Sequence, residues 1–345
     1  MIREALLYEK LSDKRVHCNL CAHQCSIKTD KRGICGVREN KDGTLYSLVY
    51  GTLIAENIDP IEKKPFFHVF PGSLSYSIAT VGCNFTCEFC QNHEISQMPR
   101  STLMITGKDV TPERIVAQAE KSGSKTIAYT YTEPTIYFEL AYDTAKIAHE
   151  HGLKNVFVTN GFMTPAAIDT IAPYLAAANV DLKSFRDEFY KKQCGAKLQP
   201  VLESLKKMKD RGIWVEITTL LIPTLNDSDE ELKDIAQFIA GLGKETPWHI
   251  SRFHPQFKMH ILPVTPLSSL HRAVKIGKHA GLKYVYSGNV PGDEGESTNC
   301  FNCGKRLIER YGFRIVSINL TGNKCSNCGI VLEGIFSETK VAVTK

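Results

Sequence analysis

The chain has 345 residues, of which 43% are hydrophobic and 23% charged, as in an ordinary globular protein. Its 42 basic and 37 acidic side chains leave a net charge of +5, which is too weak to favour a nucleic-acid partner. No apolar run reaches the roughly 20 residues of a membrane helix, and the charged N-terminus lacks the apolar segment of a secretory signal. We therefore expect a cytoplasmic protein with no membrane partner.

The twelve cysteines are the most informative part of the composition. Disulfides are rare in cytoplasmic proteins, so clustered cysteines indicate metal binding or redox chemistry. Eleven of the twelve fall in three clusters along the chain, and only Cys194 stands alone.

The first cluster contains Cys18, Cys21, Cys25 and Cys35. Four thiolates can close a metal site, and this ligand set suits either zinc or an auxiliary iron–sulfur cluster. Zinc is our first choice and predicts a scaffold or docking role, whereas a cluster would predict electron transfer. The proline-containing stretch 60–73 indicates a connecting loop, so residues 1–73 form a predicted N-terminal module with its linker.

The second cluster follows the first apolar strand run, 74–81, and places Cys83, Cys87 and Cys90 at the spacing C-x3-C-x2-C. A structural zinc site needs four protein ligands, so three thiolates favour an iron–sulfur cluster with one iron free for a small molecule. The alternative is a zinc site that His93 completes. Phe89, between the last two cysteines, could cover the cluster or stack on a bound ring.

Strand and helix signals alternate through the next two hundred residues. Thr111 and Ser228 are candidate N-caps of helical segments at 111–123 and 226–243, and Ser228 stands in capping-box register with Glu231. A third helical segment is predicted at 265–281, and the apolar strand runs are 125–131, 154–160, 176–183, 213–222, 248–253 and 282–288. This alternation predicts a parallel α/β core over 74–292, either doubly wound or an open or closed barrel.

The last cluster consists of two C-x-x-C-G motifs, Cys300 with Cys303 and Cys325 with Cys328, separated by 21 residues. This spacing is typical of a zinc ribbon, and the segment 307–320 between the motifs predicts a β-hairpin. A rubredoxin-like iron site would use the same ligands. Residues 293–345 therefore form a predicted C-terminal zinc-ribbon-like module, in which the metal supports a tail too small for its own core.

The three-cysteine motif, with an aromatic residue before its last cysteine, resembles that of the radical S-adenosylmethionine (SAM) superfamily. The further motifs resemble radical SAM proteins of the AmmeMemoRadiSam system, which are related to pyruvate formate-lyase activating enzymes: TYTEPT, VTNG, NVDLK, YKKQCGAK, PWHISRFHP and GNVPG. The resemblance implies a partial or open (β/α)6-type barrel. It also implies a 4Fe–4S cluster on Cys83, Cys87 and Cys90 whose fourth iron binds SAM.

The resemblance also implies roles for residues that follow the predicted strands. Thr132 and Glu133 would hold the SAM amino group, although the usual glycine-rich form of this loop is absent. Asn160 would contact the ribose or methionine part, and Asp181 and Lys183 would contact SAM, with Lys183 paired to its carboxylate. A surface turn and a plain ion pair are the ordinary alternatives.

The last predicted strands carry three more candidates. Either His249 or His254 would lie near the SAM ribose, and Asn289 would close the pocket or simply form a turn. Cys194 is by default an inert buried thiol. The functional alternative is a relay that passes on a hydrogen atom during radical chemistry, if its environment makes it reactive.

Our leading hypothesis is an enzyme that cleaves SAM reductively to a 5′-deoxyadenosyl radical and abstracts hydrogen from a protein substrate, with a separate reducing electron donor. A second hypothesis keeps this chemistry but takes RNA or a small metabolite as the substrate. A third is a non-catalytic metal-binding scaffold, which predicts a closed zinc site at the three-cysteine motif.

Overall fold

The computed structural model describes residues 2–336, so the last part of the predicted C-terminal module, 337–345, lies outside the described residues. The N-terminal part consists of short strands in small antiparallel sheets. These are β1 to β7: Arg3–Glu4, Tyr8–Lys10, Val16–Cys18, Ser26–Ile27, Arg38–Lys41, Thr44–Ser47 and Thr52–Leu53. Buried Val16, Val37 and Leu45 share one hydrophobic core with the main domain.

An eight-stranded sheet forms the centre of the molecule. Its first strand, β8, runs antiparallel to its neighbour, and the other seven strands are parallel. A short strand β10 (Lys108–Asp109) pairs with β7 instead. The strands of the large sheet are β8 Ala55–Pro60, β9 Leu74–Ala79, β11 Thr126–Tyr129, β12 Lys154–Thr159, β13 Leu175–Asp181, β14 Trp214–Leu221, β15 Trp248–Arg252 and β16 Val285–Gly288.

These strands lie in the sheet in the order in which they occur in the chain. A doubly wound sheet requires the order to reverse at one point, so that alternative is excluded. Right-handed crossovers between successive neighbours place the connecting helices on one face and leave the other face as an interior. Within residues 2–336 the edge strands β8 and β16 do not pair, so the barrel is open.

The predicted (β/α)6-type barrel is extended at both edges, because six strand–helix units are followed by a seventh parallel strand, β16, and preceded by the antiparallel β8. The sequence of β8 is AENIDP, and most of its side chains are partly or fully exposed. An edge strand with this polarity shows no apolar run, so the pattern that predicted the other strands missed it.

Eight α-helices connect the strands within the described residues, and two predicted N-caps are confirmed. Thr111 accepts a hydrogen bond from Arg114 N, and Ser228 accepts one from Glu231 N. The capping box is only half formed, because the Glu231 carboxylate accepts from Phe185 N at 2.7 Å instead. The helices are α1 His93–Ser101, α2 Pro112–Lys121, α3 Phe138–Glu150, α4 Pro165–Ile171, α5 Asp187–Phe189, α6 Gln199–Asp210, α7 Asp229–Leu242 and α8 Leu267–His279.

The stretch 60–73 does more than connect two modules. Phe66 and Val69 are fully buried and pack against small side chains of the parallel strands, Ala128, Val156 and Ala177. Nearby, the backbone N–H groups of Phe67 and His68 donate to the Glu216 carboxylate at 3.0 and 2.9 Å. This loop therefore closes the end of the open barrel at which the parallel strands begin.

The C-terminal part carries five short strands and the predicted hairpin is confirmed, since Arg306–Tyr311 pairs antiparallel with Arg314–Ile318. Its own core is small, with Leu307, Ile308 and Leu332 packed beside two cysteines. The strands are β17 Thr298–Asn299, β18 Arg306–Tyr311, β19 Arg314–Ile318, β20 Leu320–Thr321 and β21 Lys324–Cys325. Within residues 2–336, no helix has the length and apolar character needed to cross a bilayer.

Candidate active site

The three-cysteine loop, defined here as Cys83–Cys90, lies at the C-terminal edge of the parallel sheet, directly after β9. Arg100, near the end of α1, donates to Cys83 O at 2.6 Å and to Phe85 O at 2.7 Å. Cys87 is buried, and Cys83 and Cys90 are half-buried. The guanidinium thus fixes the backbone from which the cysteines project.

The spacing of the thiols does not suit a single bound ion. Within the described residues, only the C-terminal cysteines bring three or more Cys, His, Asp or Glu donor atoms within 4.8 Å of one another. His93 therefore does not complete a compact zinc site, and its ring stacks on Phe257 at 4.3 Å. Three more widely spaced thiolates suit an iron–sulfur cluster, in which each binds a different iron.

Unpaired polar atoms around this loop also fit a bound group. Asn84 Nδ2, His93 Nδ1 and Gln193 Oε1 are buried and have no hydrogen-bond partner in residues 2–336. Buried polar groups without partners are rare in folded proteins and indicate a ligand, ion or water that would satisfy them. The donor set and these atoms together fit a cluster with a polar ligand.

Asp181 and Lys183 lie together at the same edge, where β13 ends. Lys183 Nζ is 2.8 Å from Asp181 Oδ2 and 5.6 Å from the centre of the Phe89 ring. Burial acts to lower the pKa of Lys183, but Asp181 and the nearby Cys87 and Cys194 outweigh it and raise the pKa well above its ordinary value. A permanent positive charge therefore lies beside the three-cysteine loop.

Cys194 lies next to this loop and is fully buried. It ends a π-helical turn, Tyr190–Cys194, and its carbonyl accepts from Thr86 N at 2.9 Å. The neighbouring Cys194 thiol, together with burial, raises the pKa of Cys87 well above its ordinary value. The isolated cysteine is thus a neighbour of a predicted cluster ligand, which its sequence position did not reveal.

Glu133 makes internal hydrogen bonds at this edge of the sheet. Its carboxylate is buried and accepts four hydrogen bonds at 2.6–3.0 Å, from Thr135 N, Thr135 Oγ1, Thr159 Oγ1 and Asn160 N. Burial raises the pKa of Glu133, although these bonds act in the opposite direction. The side chain joins the loops after β11 and β12, so its oxygens are already occupied by the protein.

Thr132 and Asn160 likewise bind neighbouring loops. Thr132 Oγ1 donates to Thr80 O at 2.9 Å, and Asn160 Nδ2 donates to Asn84 Oδ1 at 2.7 Å. Asn160 Nδ2 is also 3.9 Å from Cys83 Sγ. Both residues lie beside the three-cysteine loop and position it.

Tyr131 explains how the loop after β11 turns without a glycine-rich segment. Its φ of 62° lies in the left-handed region, which is unusual for a residue other than glycine. The ring packs under Lys64 Nζ at 4.2 Å, and the hydroxyl donates to Asp59. Asn92 Nδ2 donates to Tyr131 O at 2.7 Å. This bond connects the strained position to the residues that directly follow the three-cysteine loop.

The two candidate histidines lie in different environments. His249 is buried, with Nε2 2.6 Å from Glu216 Oε2, in the network that the 60–73 loop caps. Burial acts to raise the pKa of Glu216, but the contact with His249 and the neighbouring His68 and Phe67 N–H together outweigh it and lower the pKa. His249 therefore lies inside the barrel, where it is bonded to Glu216.

His254 is exposed and follows β15 at the C-terminal edge. The segment after it contacts the three-cysteine loop, since Lys258 N donates to Glu88 O at 3.0 Å. Asn289 is also exposed at this edge and donates to Arg252 O at 3.2 Å. Of the two histidines, His254 has the position that a ligand at the three cysteines could reach.

The C-terminal cysteines form a compact four-sulfur group. Cys300 Sγ is 3.6 Å from Cys328 Sγ, and Cys303 Sγ is 3.7 Å from Cys325 Sγ. A hydrogen bond from Asn327 lowers the pKa of Cys303 to about 6, which favours the thiolate that a metal binds. This group could hold one metal ion.

Comparison with known proteins decides the family. Residues 77–239 match the model of the radical SAM superfamily. An uncharacterized protein of Methanocaldococcus jannaschii, MJ0808, is 47% identical over 331 residues, which cover 95% of this chain and 98% of that protein. This chain belongs to the radical SAM superfamily.

More distant relatives of this radical SAM protein include activating enzymes. The pyruvate formate-lyase-activating enzyme of Clostridium pasteurianum is 24% identical over 168 residues, or 47% of this chain and 67% of that enzyme. A radical SAM methyltransferase structure from Sphaerobacter thermophilus has a TM-score of 0.51 at 18% identity, covering 69% of this chain and 71% of that one. The latter likeness concerns the fold alone.

Membership in the superfamily implies a 4Fe–4S cluster and SAM as cofactors. The residues at the C-terminal edge fit them, because the three thiolates are too widely spaced for one ion and a fixed positive charge lies beside them. The outer four-cysteine groups were predicted as metal sites, and only the C-terminal group is compact enough for a single ion.

Proposed function

We propose that this radical SAM protein cleaves SAM reductively at the three-cysteine loop and uses the resulting radical to abstract hydrogen from a protein substrate. The observation that carries the proposal is the juxtaposition of three cysteines with the Asp181–Lys183 pair at one edge of the sheet. When bound, the cluster and SAM supply one-electron chemistry that yields methionine and a 5′-deoxyadenosyl radical.

The chain's own residues would bind and orient SAM. Lys183 offers its ammonium to the SAM carboxylate, and Phe89 shields that charge from solvent on one side. Glu133 keeps the loops after β11 and β12 in register through its four internal bonds. His254 and Asn289 stand on the open rim, where the ribose of SAM would be exposed.

A protein substrate is favoured by the relatives whose names describe activating enzymes. We also propose membership in the AmmeMemoRadiSam group, on the motifs quoted above, with a cytoplasmic location and a separate electron donor. The neighbourhood of Cys87 and Cys194 supports Cys194 as a hydrogen relay. A Cys194→Ala variant that still cleaves SAM but no longer yields modified substrate would fit the relay.

The first test measures 5′-deoxyadenosine after anaerobic reduction in the presence of SAM. The parent should form it, Cys87→Ala should not, and Cys303→Ala, in the C-terminal group, should retain SAM cleavage. Absence of product from a parent whose three-cysteine loop contains a reducible cluster would contradict the proposed function.

The substrate class can be tested by deuterium transfer. The native host is grown in deuterated medium, and its extract is divided into an ultrafiltrate, a nuclease-treated protein fraction and an RNA fraction. Transfer of deuterium into 5′-deoxyadenosine only with the protein fraction would support the proposal. Transfer from the RNA fraction would instead indicate an RNA substrate, and transfer from the ultrafiltrate would indicate a small metabolite.

A further inference from the structure

A cavity beside the three-cysteine loop is lined by the four cysteines of the N-terminal cluster, called here the N-terminal site: Cys18, Cys21, Cys25 and Cys35. Apolar side chains form most of the remaining wall: Leu20, Ile27, Ile34 and Ile136. At Gly33 an added Cβ would lie 3.1 Å from Ile27 Cδ1 and 3.6 Å from Cys25 Sγ, so a side chain there would intrude on the cavity.

The N-terminal site differs in spacing from the C-terminal cysteine group of the same chain. Zn–S bonds of about 2.3 Å place the sulfurs of a tetrahedral zinc site about 3.8 Å apart. The C-terminal group meets this distance, with measured pairs at 3.6 and 3.7 Å. The four sulfurs of the N-terminal site do not all lie within 4.8 Å of one another and instead surround the cavity.

Arg38 supplies a free hydrogen-bond donor at this cavity. Its side chain is 2% exposed, and its Nη2 bonds to Glu139 at 2.9 Å and to Leu6 O at 2.8 Å. Its Nε has no acceptor within residues 2–336. A free N–H can donate to the sulfur of a cluster, which tunes the reduction potential of that cluster.

We propose that the N-terminal site holds a second iron–sulfur cluster, which passes electrons to the three-cysteine loop. This inference replaces zinc, the first choice from the sequence. The cluster itself is independent of the proposed function, whereas the electron-transfer role rests on it.

The route between the two sites is short. His23, in the cavity wall, has Nε2 2.8 Å from Asn84 O, one residue beyond Cys83. Arg100 bridges the sites a second time, because it donates to Ile34 O and Cys83 O, each at 2.6 Å. A Cβ at Gly82 would be 3.3 Å from Cys35 O, so the two backbones are nearly in contact.

The transfer step moves one electron and breaks no bond. A low-potential one-electron donor of the ferredoxin class reduces the N-terminal site by one electron. That site is then reoxidised as the three-cysteine site is reduced by one electron, and no proton moves. Reductive cleavage of SAM consumes the electron at the three-cysteine site.

Metal analysis of the unmodified protein, reconstituted anaerobically, tests the cluster without any substitution. Two clusters predict about eight irons and eight sulfides per chain, with zinc confined to about one ion in the C-terminal group. About four irons with about two zinc ions would overturn the proposal, because the N-terminal site would then be a zinc site.

Paired variants locate the iron. The triple variant Cys83→Ala, Cys87→Ala, Cys90→Ala should keep about half of the iron and an electron paramagnetic resonance signal after reduction. The double variant Cys21→Ala, Cys25→Ala should keep the other half. A triple variant that retains its zinc but has no iron or sulfide would contradict the second cluster.

The relay is tested with two reductants. With reduced ferredoxin, the Cys21→Ala, Cys25→Ala variant should form 5′-deoxyadenosine at least about tenfold more slowly than the parent. A strong small-molecule reductant that reaches the three-cysteine site directly should restore most of the rate. An equal loss with both reductants would assign the N-terminal site a structural role. If the parent forms no product, the proposed function fails while the metal count still decides the cluster.

Discussion

At the scale of single residues, Lys183 is a buried cation placed to bind an anionic ligand group. It is charged, paired with Asp181 at 2.8 Å and adjacent to the thiols of Cys87 and Cys194. Its side chain is only 12% exposed, so an interaction with a carboxylate there is weakly screened by solvent.

Lys183→Gln should weaken SAM binding by about tenfold or more, since a hydrogen bond to a charged group contributes about 1.5–3 kcal/mol. Equilibrium dialysis with the reconstituted, unreduced protein measures this. Lys191→Gln is the matched control, because Lys191 is also paired with an aspartate, Asp187, but is exposed to solvent. Unchanged affinity in the Lys183 variant, with its iron retained, would remove Lys183 from the SAM site.

Glu133 is expected to matter for stability more than for direct ligand contact. Glu133→Gln places an amide where the carboxylate accepts four hydrogen bonds, so at least one buried donor loses its acceptor. The free energy of unfolding in urea should fall by about 2–3 kcal/mol. Loss of SAM binding without loss of stability would instead support the direct contact that the family resemblance implied.

Glu188→Gln is the control for this substitution. Glu188 is exposed, and its partner is the exposed Lys192 four residues away on the same segment. We expect a change within about 0.5 kcal/mol, as for most surface substitutions.

At the scale of elements, the loop after β12 depends on close packing at a left-handed glycine. Gly161 has φ +69°, and an added Cβ would lie 2.7 Å from Val180 Cγ1 on the neighbouring strand. Asn160 and Phe162 flank this glycine, and Asn160 holds the three-cysteine loop. The strand-to-helix connection therefore has no room for a side chain.

Gly161→Ala should lower the free energy of unfolding by about 2–4 kcal/mol, from backbone strain and overpacking together. Gly152→Ala is the matched control, since Gly152 has φ +78° with nothing within 4 Å of its Cβ position. It should cost only the backbone strain, about 1 kcal/mol. If urea unfolding gave the same decrease in free energy of unfolding for both variants, the close contact with Val180 would contribute nothing to the effect of Gly161→Ala.

At the scale of the whole molecule, the C-terminal module is attached to the closed end of the barrel, away from the three cysteines. Arg310 donates to Phe67 O at 3.0 Å and lies 3.7 Å from Glu62. His68 Nδ1 donates to Glu333 O at 2.7 Å, and its Nε2 accepts from the Tyr286 hydroxyl at 2.8 Å. A partner bound at this module would therefore not lie beside the three-cysteine loop.

His68 should make stability depend on pH. Burial lowers its pKa to about 4, below the ordinary value near 6.5, so the unfolded chain binds the proton first as the pH falls. Stability from the neutral ring is complete above about pH 6.5 and is lost toward pH 4, by at most about 3 kcal/mol.

Urea unfolding between these pH values measures the effect, with His68→Gln as the reference. Glutamine can also donate to Glu333 O and accept from Tyr286, but it does not titrate. The parent should lose more stability on acidification than the variant. Parallel losses in both proteins would assign the pH dependence to other groups.

The sequence by itself determined the features that depend on local pattern. Seven apolar runs predicted the seven parallel strands, and the caps at Thr111 and Ser228 predicted two helix starts. Cysteine spacing predicted the three-cysteine motif, whose ligands come from one short loop. It also predicted the C-terminal group, whose ligands come from two C-x-x-C-G loops. Lys183 and Asp181 were predictable as a pair because alternate residues of a strand share one face.

Only the tertiary structure decided what depends on contacts distant along the chain. It showed that the Glu133 carboxylate accepts hydrogen bonds from Thr135, Thr159 and Asn160, and that Cys194 lies beside Cys87. It separated His249, bonded to Glu216 inside the barrel, from His254 at the open edge. It also showed the N-terminal cysteines to be spread around a cavity and the C-terminal ones to be gathered at ion distance. Spacing along a chain specifies which ligands are available, but the packing of the surrounding elements sets how far apart they lie.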